Sequence, residues 1–144
     1  MSSVVFGKTA GGASASGAPA CDLYLPVDTR ECAPNVETQI GKDGSLLETV
    51  RLLIDLRKRH PALCADGDFS VVYAHKDKYP FVFMRSCGDQ RILVAVNPSA
   101  KGAKIDLDGI GLCEVLAGKG AVLDGSVLDM NGVSYGIFRE IDRN

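Results

Sequence analysis

One strongly amphipathic helix with no second helix to pack on constrains this chain more than any other feature. In "SLLETVRLLIDLRKRH", residues 45–60, the side chains of Leu46, Leu47, Val50, Leu53, Ile54 and Leu56 recur at helical spacing and make a wide apolar stripe. Ser45 and Glu48 have the S-x-x-E spacing of a capping box, in which hydroxyl and carboxylate satisfy otherwise unpaired N–H groups. Arg57, Lys58, Arg59 and His60 fall in the last turn, where positive charge suits the carbonyl end of the helix dipole. Pro61 then ends the helix. A basic run can hold phosphate, but at a helix C-terminus it reads more simply as a solvated cap.

After Leu63 the hydrophobic period changes. "FSVVYA" (69–74), "FVFMRS" (81–86), "RILVAV" (91–96), "AKIDLD" (103–108), "CEVLAG" (113–118), "GSVLDM" (125–130) and "GVSYGIF" (132–138) are short runs, many rich in β-branched and aromatic residues. Lys-Asp-Lys with Pro80, and "CGDQ" at 87–90, mark turns, and Asn131-Gly132 is the best two-residue hairpin signal in the chain. The near-continuous apolar character of the second and third runs places them centrally in a sheet. With no helix between the strands, the expected fold is mainly β: an antiparallel, Greek-key-like β-sandwich of 6–8 strands, preceded by one amphipathic α-helix and an irregular N-terminal segment. The expected divisions are 1–44, irregular; 45–63, helix; and 66–144, antiparallel β domain.

The chain has 144 residues, enough for one real core. Hydrophobic residues at 46% and charged residues at 24% are those of an ordinary globular protein. A net charge of −2 gives no electrostatic attraction to nucleic acid or to an anionic membrane. No apolar run approaches the roughly 20 residues that span a bilayer, and the first residues lack the basic-then-apolar order of a signal peptide. Residues 10–20, "AGGASASGAPA", are too small and flexible to build a core. Taken by themselves, the first forty residues read either as a leader without structure or as an irregular connection around a short extended piece, "LYLPVD" at 23–28.

The residues offer little chemistry. "GKT" at 7–9 lacks the glycine that a phosphate loop needs at position 2, where Ser2 stands, and no buried strand precedes it. Cys21, Cys32, Cys64, Cys87 and Cys113 are scattered, with no C-x-x-C pair, and His60 and His75 are the only histidines. That argues against a zinc site and for free thiols of a reducing, cytoplasmic-type compartment. Asp106, Asp108, Asp124, Asp129 and Glu140 sit at expected turns and strand ends, where local hydrogen bonding explains them. No residue is assigned a catalytic or metal-binding role, and no cofactor is implied.

The helix-to-strand junction carries a resemblance. "DGSLLETVRLLIDLRKRHPAL", then "GDFSVVYAHKDKYPFVFMRS" and "QRILVAVNPS", are similar to the C-terminal end of α-amylase-family glycoside hydrolases, in the α-glucosidase and trehalose-synthase-like group. The upstream "GKTAGGASAS…LYLPVD" resembles the family's loop before the last barrel helix, although "TAGGAS" at 9–14 lacks the aromatic of the family phrase. The resemblance implies that residues 45–63 are the last helix of a catalytic eight-fold β/α barrel and that a C-terminal β domain follows. The family's catalytic carboxylates and calcium ligands lie on earlier strands, with no counterpart in these residues, so none is carried over. The implied role is non-catalytic support of a glucan-processing enzyme, with the catalytic barrel as partner. The alternative is an α-glucan-binding module, for which Tyr73, Tyr79 and Tyr135, with Phe81 and Phe83, are the candidate stacking residues. A helix stripped of its barrel exposes apolar side chains worth about 1.5–3 kcal/mol each when buried, so self-association through the helix is also expected.

Overall fold

The computed structural model describes residues 35–141. The sequence readings at 7–9, 9–14 and 23–28, and Cys21 and Cys32, lie outside the described residues. The chain divides into two compact units, one running to Leu53 and one from Ile54 onward.

A turn-rich stretch in the first unit leads into helix α1, Leu46–Arg59, whose residues to Leu53 belong to that unit and whose residues from Ile54 belong to the second. The Ser45 hydroxyl accepts from the Glu48 amide at 3.3 Å, so half of the expected capping box forms. The other half does not, because the Ser45 amide already donates to the Lys42 carbonyl. The Glu48 carboxylate turns instead to the Gly41 amide at 3.0 Å and the Arg51 guanidinium at 2.8 Å. Gln39 takes its place at the helix start: its Oε1 accepts from the Leu47 amide at 3.0 Å, and its Nε2 donates to the Asn35 carbonyl. The apolar stripe of α1 stays largely uncovered, with Leu46 73% and Ile54 50% exposed; only Leu56 is buried.

Beyond a 3₁₀ turn, Pro61–Leu63, come six strands: β1 Asp68–His75, β2 Lys78–Cys87, β3 Gln90–Asn97, β4 Ala103–Asp106, β5 Cys113–Asp124 and β6 Val127–Glu140. All pairings are antiparallel. The order is β1-β2-β3-β6-β4, with β5 also on β6, so the mainly β antiparallel architecture is as the patterning requires. β2 and β3 are interior strands, as their apolar runs imply. Three hairpins close with two-residue turns, 76–77, 88–89 and 125–126, and each holds one residue in the left-handed region: Asp77, Gly88 and Gly125.

The Asn131-Gly132 hairpin is not formed. Residues 127–130 and the run at 132–138 belong to one long strand, β6, and the reversal lies at Gly125-Ser126 instead. Residues 131–134 are a bend within β6. The first half of the strand pairs with β4 and β5, the second with β3 and β5, and the register with β5 shifts between Lys119 and Ala121. Gly132 is there for close approach: a Cβ would lie 2.1 Å from the Ala100 carbonyl oxygen. Val133 takes φ 49°, and its amide donates to the Ser99 carbonyl at 2.7 Å. The buried Asn97 side chain ties the bend down, donating to the Asn131 carbonyl at 2.8 Å and the Lys101 carbonyl at 2.9 Å while accepting from the Ser99 amide at 3.2 Å.

The bend lets one curled sheet supply both layers of the core. Val82, Met84, Leu93, Ala95 and Phe138 meet Leu107, Leu128 and Met130 inside the curl. A smaller cluster lies on the outer face, where Leu56 and Ala62 pack with Ile92, Ala117 and Ile137.

Candidate functional site

The outer face of the sheet is only partly covered. Alternation along the strands sends one set of side chains into the curl and the other outward. Cross-strand pairing aligns the outward set: Val71 with Phe83, Phe83 with Val94, Phe81 with Val96, and Val96 with Tyr135. At one end the 3₁₀ turn and Leu56 sit over Ile92 and Ile137. At the other end no described residue of the second unit covers the face. Phe69, Val71 and Tyr79 are each more than half exposed and Val96 is 37% exposed, while Phe81, Phe83 and Val94 are half-buried. Phe69 and Phe81 both lean on Phe83, with ring centroids 5.1 and 5.5 Å away.

The covered end is fixed by polar side chains that reach across the fold. Arg85 on β2 donates from Nε to the Ala62 carbonyl at 3.1 Å and from Nη2 to the Cys64 carbonyl at 2.5 Å. Gln90 Oε1 accepts from the Ala62 amide at 3.1 Å, and Gln90 Nε2 lies 3.1 Å from His60 Nδ1. His60 is buried, and desolvation, followed by the nearby charges of Arg139 and Arg59, lowers its pKa; Glu114 opposes the shift. The Glu114 carboxylate is ion-paired with Arg139.

The three tyrosines singled out from the sequence do not form one platform. Tyr73 packs against the core inside the curl. Tyr79 alternates with Phe81 and Phe83 on the outer face, and Tyr135 packs against the outer cluster. Among the described residues the ring contacts are between phenylalanines, not tyrosines. Periodicity alone had a signal that the outer face is apolar, though not that it is uncovered: β2 and β3 are apolar on both of their faces, which a sheet with one solvated side would not need.

The concave features hold little chemistry. A cleft of ≈ 470 Å³ is lined by Arg91, Gly111, Ser126 and Glu140. Its carboxylate is already engaged: Glu140 Oε1 accepts from the Gly111 amide at 2.7 Å, and Oε2 lies 2.8 Å from Arg91 Nη1, paired by charge though not aligned for a hydrogen bond. Burial, with Glu140 second, pushes the Cys113 thiol up in pKa, which disfavours the thiolate a nucleophile requires. A second groove, ≈ 600 Å³, carries Lys104, Asp124, Asp129 and Asn131 on an open strand surface. Among the described residues no three His, Cys, Asp or Glu side chains gather as a metal would need, and no helix is long and apolar enough to cross a membrane.

The curled antiparallel β domain and the helix that enters it are similar to parts of several solved structures. A trehalulose synthase MutB mutant, from crystals soaked with trehalulose, matches 73% of this chain at 25% identity and a TM-score of 0.65. A MutB mutant in complex with sucrose matches 73% at 26% identity and 0.65. An isomaltulose synthase mutant from Erwinia rhapontici NX5, in complex with D-glucose, matches 75% at 20% identity and 0.67. This chain spans about a fifth of the length of each, 20%, 19% and 20%. No protein-family model and no curated protein matches the sequence. The chain resembles the C-terminal part of an α-amylase-family glycoside hydrolase, the group to which these sucrose-isomerising enzymes belong.

Proposed function

We propose that this chain is the non-catalytic C-terminal portion of a glucan-processing glycoside hydrolase of the α-amylase family, acting in carbohydrate metabolism. Its work is structural: α1 and the outer sheet face give the catalytic barrel of the parent protein a surface to rest on. The observation that carries this reading is the bare apolar end of that face. Phe69, Val71, Tyr79 and Val96 are half-exposed or nearly so. Covering them is worth about 3–6 kcal/mol, taking half of the usual 1.5–3 kcal/mol for each side chain. A patch of this kind marks an interaction surface, and the structural relatives have some four-fifths of their length beyond the part this chain matches.

The reading is tested by incubating the purified chain with sucrose and with maltose-type substrates. No turnover is expected, because the resemblance places the family's catalytic carboxylates on barrel strands that have no counterpart in this sequence. Turnover proportional to the amount of this chain would overturn it. Titration with a linear maltooligosaccharide should leave the amide signals of Tyr73, Tyr79 and Tyr135 in place; saturable shifts there would make the domain a glucan-binding module instead.

A further inference from the structure

The outer cluster contains a group that the structural role does not require to titrate. His60 sits between α1 and the 3₁₀ turn, 8% exposed, against the Gln90 side chain of β3. The orientation of the Gln90 amide follows from its other contact. The Ala62 N–H points at it from 3.1 Å, so the atom there is the amide oxygen. The opposite atom is then the NH₂ group, and it faces His60 Nδ1 as a donor. The imidazole must therefore be neutral, with Nδ1 bare and its proton on Nε2.

We propose that His60, Gln90 and the Ala62 amide form an acid-released joint: the neutral imidazole fastens the end of α1 and the 3₁₀ turn to β3, and the protonated ring lets them go. A proton added at Nδ1 sets N–H against N–H. Turning the Gln90 amide over would accommodate the imidazolium but would aim the NH₂ group at the Ala62 N–H, so neither orientation satisfies both neighbours. The charged groups around the ring favour release. Arg59 on α1 and Arg139 on β6 both disfavour a second positive charge, and Glu114 on β5, the one opposing carboxylate, is paired with Arg139. Arg85 on β2 adds a further guanidinium, bound to the carbonyls of Ala62 and Cys64 on the same turn, while β3 presents the uncharged Gln90. When the joint opens, the side-chain bonds of Arg85 and the packing of Ala62 in the outer cluster remain to hold the link that enters β1.

The sign follows from the direction of the shift. A histidine held neutral has a folded pKa below its ordinary 6.5, so its contribution is complete above that value and is lost as the pH falls through the folded pKa. The test is nitrogen-15 NMR of the 144-residue chain across acidic pH, with the two histidines assigned through His75→Asn. We expect a His60 ring with Nδ1 unprotonated at neutral pH and a midpoint below 6.5. Protection of the Ala62 amide against hydrogen exchange should fall through the same midpoint. In Gln90→Glu the new carboxylate can accept from both the Ala62 N–H and the imidazolium, so the midpoint should rise above 6.5 and the acid loss of protection should vanish. A His60 midpoint at or above 6.5 in the wild type, a proton on Nδ1 at neutral pH, Ala62 protection that ignores the titration, or a Gln90→Glu midpoint that does not rise would each overturn the proposal.

Discussion

Changing Asn97 to aspartate alters the electronics of one buried side chain without altering its shape. Asn97 is 1% exposed and makes three hydrogen bonds: two donated, to the carbonyls of Lys101 and Asn131, and one accepted, from the Ser99 amide. Asn97→Asp keeps the accepted bond and loses both donated ones, turning an anionic oxygen toward two carbonyl oxygens. A buried group left without its partner costs about 1–3 kcal/mol, so two stranded carbonyls give roughly 2–6 kcal/mol before any cost of burying the charge. That is a large part of the 5–15 kcal/mol typical of a whole domain. Urea denaturation at pH 7 reads it as a lower midpoint with an unchanged slope. The pH dependence identifies the cause. The introduced carboxyl is disfavoured as an anion, so its folded pKa lies above its unfolded value; its stabilising protonated form is present at low pH and lost as the pH rises. The deficit against wild type, compared at equal pH, should therefore narrow on acidification, since the protonated acid regains one donor. An unchanged midpoint at pH 7, or a deficit that widens in acid, would refute the claim that Asn97 holds the β6 bend by donation.

Other consequences follow from the same geometry. Gly132→Ala places a methyl 2.1 Å from the Ala100 oxygen and 2.6 Å from its carbonyl carbon, both backbone atoms; thermal unfolding should show a loss of several degrees or failure to fold, and wild-type stability would mean the β6 bend is looser than described. Phe138→Ala empties a 1%-exposed site inside the curl and should cost about 3–5 kcal/mol by chemical denaturation. Arg85→Met removes both bonds to the carbonyls of Ala62 and Cys64; hydrogen exchange should rise at residues 60–64 and stay unchanged within β5, and uniform destabilisation would contradict a local tether.

The sequence carried the local half of the fold. Helix α1, the three successive strands from Asp68 to Asn97 and the turn at Gly88 follow from periodicity and from residues that favour positive φ. Asn131-Gly132 misled because a glycine has two uses. Its dipeptide context suited a two-residue turn, but the glycine is needed for the approach of Ala100, whose position depends on a segment some thirty residues away. The true turn at Gly125-Ser126 puts glycine first, as a type II′ turn does, but the apolar run that follows drew both residues into an expected strand. Glu48 was drawn from its expected partner by Gly41 and Arg51, and Gln39 filled the vacancy from six residues before the Ser45 cap. The bonds of Arg85 and Gln90, and the bond from Asn97 to Asn131, span 21 to 34 residues, which no local pattern encodes. One clue was nonetheless present: Asn97 follows Leu93 and Ala95 in the inward phase of β3, and a polar residue in that phase needs buried partners. The bare face escaped notice because apolar outward positions on β2 and β3 look the same in sequence whether covered or not.

Sedimentation velocity from micromolar to near-millimolar concentration tests the central claim, that the apolar face is a seat for another body. With no barrel present, the wild-type chain should associate as concentration rises, since a second copy is the available cover. The pair Phe69→Ser and Phe83→Ser, which changes outward side chains only, should weaken that association while leaving the circular-dichroism spectrum of the fold intact. A wild-type chain that stays a clean monomer throughout, or association indifferent to the two substitutions, would contradict the account.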